Sequence, residues 1–132
     1  MNAKKKRLGQ EPRPFYAEQH AVGDRVVLRI GGECDAATLE RLSAALDAAI
    51  EQQPQEVVVD LADATFLDSL TLGSLTAAAK RVRADGGSFR VIRAVATEVR
   101  RAFELTHLDT YLLAPPSAQR GTTFAPRRAD DR

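Results

Sequence analysis

Val57-Val58-Val59-Asp60-Leu61-Ala62-Asp63-Ala64-Thr65-Phe66-Leu67-Asp68-Ser69-Leu70-Thr71-Leu72-Gly73-Ser74-Leu75 is the stretch on which the reading of this chain turns. It opens with a β-branched run and Leu61 close behind, the near-continuous apolar pattern of a strand covered on both faces in an α/β sheet. A short acidic loop over 63–68 follows. Asp68 then stands where a helix N-cap belongs, its carboxylate able to accept backbone N–H bonds from the first turn. Residues 69–84 read as a helix, because Leu72, Leu75, Ala79 and Val82 recur on one stripe, and Asp85-Gly86-Gly87 supplies the stop. Hydroxyl residues at a helix start beside acids mark a place to put or detect a phosphate.

On a wheel of about 100° per residue, Leu70, Gly73, Ser74 and Ala77 point away from the apolar stripe. Lys80, Arg81 and Arg83 bring charge only near the end. An ordinary solvent face carries Glu, Lys or Gln, which favour helix and solubility; this one is small and weakly apolar. Small side chains let another polypeptide approach the backbone closely, so the first two turns read as a docking surface. The competing reading packs Gly73 and Ala77 against a loop or tail of the same chain.

The elements around the stretch alternate. Phe15 to His20 and Arg25 to Ile30 read as a hairpin about Gly23-Asp24. Asp35 caps a helix whose Leu39, Leu42, Leu46, Ala49 and Ile50 share a face, ending before Pro54. After the strand at 56–61 and the helix at 69–84, Ser88 to Ile92 forms a further strand. Thr97 caps a short helix with Val99, Ala102 and Phe103 inward, and a last short strand lies near Leu108 to Leu112. The expectation is an α/β fold: a mixed sheet of four to five strands with helices packed against it, in one domain.

These residues resemble a STAS domain of the bacterial anti-sigma factor antagonist type. The likeness rests on the strand, the acidic loop and Asp68-Ser69-Leu70-Thr71-Leu72-Gly73 at a helix start, where the family commonly reads Asp-Ser-Ser/Thr-Gly-Leu-Gly. Gly32-Glu33-Cys34-Asp35 is similar to its Gly-Glu-Leu-Asp turn, and the segment from Val99 to Leu112 to its closing helix and strand. The resemblance spans residues 15–113 and implies a regulatory protein, not an enzyme, that binds an anti-sigma factor/serine kinase and needs no cofactor. It places Glu33 and Asp35 near the hydroxyl loop, so that Glu33, Asp35, Asp63 and Asp68 surround it with negative charge. For Asp35 and Asp68, helix capping is the plainer role, and compatible. The hydroxyl that the family's kinase modifies follows the Asp-Ser pair; that position is Leu70, which cannot be phosphorylated. Ser69 and Thr71 are the displaced candidate acceptors, with hydrogen bonding at the helix start as the alternative for both.

Composition bounds the remainder. The chain has 132 residues, is 44% hydrophobic and carries a net charge of +1, enough for one compact core. The charge is uneven: +4 on residues 1–14, +2 on 114–132, and hence −5 between them. Residues 1–14, with Lys4-Lys5-Lys6-Arg7, are expected to be a flexible basic arm with no stable nucleic-acid binding, and residues 114–132 a disordered tail. No apolar run approaches a membrane span or a secretory signal, so the protein is expected in the cytoplasm. A lone Cys34 and two histidines provide neither disulfide nor zinc set. No nucleophile elbow or phosphate-cradling glycine loop is present. Weak self-association is left open. Two other readings stand: a STAS adaptor subunit of a transporter/ATPase or signalling complex without phosphate control, and a receiver domain with Asp60 as acceptor. The second lacks its acidic pair and a lysine after residue 80.

Overall fold

The computed structural model describes residues 14–114. The basic arm, apart from Pro14, and the tail beyond Ala114 lie outside the described residues. Strands β1 (Tyr16–Val22) and β2 (Arg25–Cys34) form the expected hairpin, antiparallel, with Gly23 at φ 63° in its turn. Beyond the hairpin the sheet is parallel: β3 (Glu56–Asp60) pairs with β2, and β5 (Ser88–Ile92) with β3. A short β4 (Ala64–Leu67) pairs with the far end of β2, giving a mixed five-stranded sheet in the order β1-β2-β3-β5 with β4 on β2.

Helices α1 (Leu39–Glu51) and α2 (Ser69–Ala84) cover one face. Leu42, Leu46 and Ile50 of α1 and Leu72, Leu75, Ala79 and Val82 of α2 join Leu28, Ile30, Val57, Val59, Phe89 and Val91 in a single core cluster. Val99 and Phe103 of α3 (Thr97–Leu105) and Leu112 of α4 (Asp109–Leu112) close its end. The opposite sheet face carries a separate cluster of Val27, Val58, Ile92 and Ala114, none of them helical. In register on either side of Val27 and Val58 stand the pairs Arg25–Glu56 and Arg29–Asp60.

Four expectations are corrected. The segment 63–68 is not all loop, since Ala64 to Leu67 is strand. Asp35 caps not α1 directly but a 3-10 turn over Ala36–Thr38, in a reciprocal pair with Thr38; α1 begins after it. The N-cap of α3 is Ala96, and Thr97 is its first residue. The closing segment is the helix α4, with only Leu113 bridging in parallel to Val91. His107, at φ 60°, ends α3 with Leu108 N–H returning to Phe103 O, which turns the chain so that Leu112 enters the core. No helix among the described residues is long and apolar enough to cross a membrane.

Candidate functional site

The start of α2 is built onto the end of β2. The Asp68 carboxylate accepts Thr71 N–H at 2.9 Å, capping the helix, while Asp68 N–H donates to Cys34 O at 3.1 Å. The Thr71 hydroxyl donates to the same carbonyl at 3.1 Å. Two of the four orphan N–H donors at the helix start and the carbonyl that ends β2 are thus satisfied together. Glu33 and Cys34, expected in a turn, are the last residues of β2 and register partners of Phe66 and Leu67, so the acidic end of β2 and the helix start are brought side by side.

Ser69 is exposed, Leu70 is 53% exposed, and Gly73 and Ala77 are open on the same outward face. A Cβ built on Gly73 meets nothing within 4 Å. The competing reading, in which this chain covers Gly73 and Ala77, finds no support among the described residues. Ser74 is half-buried and its hydroxyl lies 3.4 Å from Ser43 of α1, so it joins the two helices. Thr71 is 1% exposed, with its hydroxyl engaged beneath the helix; of the two candidate acceptors, Ser69 alone presents its side chain to solvent.

The acids divide by task. Glu33 is exposed. Asp35 accepts Ala37 N–H and Asp68 accepts Thr71 N–H, both as caps that leave their charge at the site. Asp63 accepts the Tyr16 hydroxyl at 2.6 Å. Desolvation, followed by that hydrogen bond, pushes the Tyr16 phenol up to about 12. Burial, then the charges of Asp35 and Asp68, likewise pushes the Cys34 thiol up to about 12, which makes it a passive apolar residue.

Asp60 is fully buried, and both its oxygens are taken. Arg93 donates to them at 3.2 and 2.6 Å, Ala62 N–H at 3.0 Å, and Arg29 lies at 3.6 Å. No acceptor aspartate of receiver type is open to phosphate there.

Sequence reasoning passed over two residues of this region. Phe66, beside Glu33 and 38% exposed, adds a large apolar side chain next to the acidic end of β2; its place two residues before Asp68 was the available signal. Tyr16 had no local signal, because its partner is 47 positions away.

A family model described as Mlab, STAS domain matches residues 17–114. Among solved structures, an anti-sigma factor antagonist from Mycobacterium paratuberculosis is 30% identical, the match covering 82% of this chain and 96% of that one at a TM-score of 0.68. SpoIIAA in its unphosphorylated form is 24% identical over 79% of this chain and 90% of that one, TM-score 0.60. The phosphorylated form of Bacillus SpoIIAA is 23% identical over 79% and 94%, TM-score 0.55; at these identities the likeness is one of fold. With the open helix start, the acidic strand end beside it and these matches together, the chain belongs to the STAS domain family, of the kind found in bacterial anti-sigma factor antagonists.

Proposed function

We propose that this protein is an anti-sigma factor antagonist, which binds an anti-sigma factor/serine kinase through segment 63–68 and the α2 face from Ser69 to Ala77. The observation that carries the reading is the exposure of Leu70, Gly73 and Ala77 together on one face at the helix start. Burying the exposed part of Leu70 contributes about 1 kcal/mol at ~25 cal/mol per Å². Gly73 admits the partner's backbone, and Glu33, Asp35 and Asp68 favour a cationic rim around it.

Ser69 is the candidate phosphate acceptor. A phosphoryl group adds about −1.5 to −2 charges. The helix N-terminus tolerates it by roughly 0.3–1 kcal/mol. Closed under a partner packed over Leu70 and Gly73, however, it loses its hydration, at a cost of several kcal/mol for a buried charge. Because about 1.4 kcal/mol is tenfold in affinity, one phosphate is enough to release the complex.

The second reading, an adaptor in a transporter/ATPase or signalling assembly without phosphate control, is favoured by Leu70, which gives the usual acceptor position no hydroxyl. A pull-down from the native cell extract with wild type, Leu70→Glu and Ser69→Asp tests both. An anti-sigma factor is expected with wild type and is reduced at least about tenfold by Leu70→Glu; undiminished recovery with Leu70→Glu sinks the proposed face. Release by Ser69→Asp, with phosphate found on Ser69 by mass spectrometry after incubation with kinase and ATP, marks a switch. Retention marks a constitutive binder.

A further inference from the structure

Tyr16 opens β1, yet its hydroxyl reaches the segment that joins β3 to β4. Its ring is seated on Gly31, its register partner, where a Cβ would stand 2.2 Å from Tyr16 Cε2. Any side chain at residue 31 would displace the ring. From that seat the hydroxyl donates to Asp63 Oδ2 at 2.6 Å. The neighbouring Gly32, at φ 83°, donates its N–H to Asp63 O at 3.0 Å. Asp63 is therefore gripped through both its side chain and its backbone by the first two strands. On the other side of the same segment, Ala62 N–H is held by Asp60 and Leu61 N–H by Ile92 O. The chain runs from this clamped segment straight through β4 into Asp68 and the start of α2, with no slack between.

We propose that Tyr16 is a positioning residue for the docking surface: its hydrogen bond to Asp63 fixes the turn before β4, and through β4 the seating of Asp68, Ser69 and Leu70 against β2. The idea rests on the proposed function for its consequence in binding, but its structural half stands alone. It also gives Asp63 a different role from that of the other acids. Its carboxylate is an acceptor turned toward its own chain, whereas Glu33 has its carboxylate in solvent.

Two readouts on the full chain test it, with Tyr16→Phe, Asp63→Ala, the double variant, and Asp63→Asn, whose amide oxygen still accepts a hydrogen bond. In the protein alone, Tyr16→Phe and Asp63→Ala are expected to speed amide hydrogen exchange over residues 64–70 about tenfold. Amides of α1 and β3 are expected to stay at wild-type rates, the double variant to go no further, and Asp63→Asn to remain near wild type. Unchanged exchange in Tyr16→Phe, or acceleration spread over the whole domain, overturns the proposal. With the purified anti-sigma factor recovered in the pull-down, affinity should fall alike in Tyr16→Phe and Asp63→Ala and hold in Asp63→Asn. Equal losses in Asp63→Asn and Asp63→Ala would mean that Asp63 acts through its charge, and the positioning role is then rejected. A wild type that binds no anti-sigma factor removes the proposed function alone, because the exchange measurement still decides the clamp.

Discussion

Tyr16 and Cys34 are held in their neutral forms by the fold, and both set a limit on stability at the alkaline side. Each has its folded pKa raised to about 12, from 10.0 for the phenol and 9.0 for the thiol. A group raised in the folded state contributes stability that is fully present below its unfolded pKa and lost as pH climbs through the folded one. The urea midpoint is therefore expected to fall between pH 9 and 12, less steeply in Tyr16→Phe, as unfolding curves at pH 8 and 11 would show. The Cys34 thiol, with no exposed surface, is expected to stay silent to a thiol reagent at pH 8 until denaturant is added. Thr71 illustrates what was legible at this scale. On the helix wheel it lies next to Val82, at the border of the apolar stripe, so its burial was open to reading. Treating it as a surface hydroxyl gave weight to its residue type over its angle. The Tyr16 to Asp63 bond was not legible, since nothing local at either residue marks a partner so distant in sequence.

Helix α2 begins and ends where its residues announce, because both termini are written in local chemistry. Asp68 caps one end; at the other Gly86, at φ 87°, lets Gly87 N–H return to Val82 O and Gly86 N–H to Arg83 O. Asp68→Ala removes the side-chain cap and is expected to cost about 1 kcal/mol, measured by urea unfolding with the wild-type slope retained. A larger loss with a changed slope would mean that the cap holds β2 and β4 together as well. Strand β4 escaped notice for the opposite reason. It is four residues long, its burial does not alternate, and it pairs with only a few residues of β2 across a register shift between Gly32 and Glu33. Its acidic flanks, Asp63 and Asp68, look like turn residues. The final segment misled through apolar content: Leu108, Leu112 and Leu113 suit a strand, but the left-handed His107 and the turn that follows wind it into α4.

At the scale of the molecule, Asp60 joins what the sheet keeps apart. It sits at the end of β3, receives Arg29 from β2 and Arg93 from the segment after β5, and holds Ala62 at the exit toward β4. Its carboxylate in turn keeps Arg93 protonated above the ordinary arginine range. Asp60→Ala removes the buried carboxylate that Arg29 and Arg93 share, and a loss of about 2–3 kcal/mol is expected, below the full penalty for a buried pair because both arginines keep some solvent. Equilibrium unfolding would measure it, and a loss under about 0.5 kcal/mol would show the cluster to be surface electrostatics only. The two ends of the described chain also leave from different borders of the sheet. Pro14 lies against Gly32, two residues before Cys34, the Thr71 hydroxyl's acceptor, and three before the Asp35 cap, whereas Leu113 and Ala114 run along β5. A fluorescent label attached at residue 14 would therefore stand beside the surface under test, whereas one attached at residue 114 would leave it free.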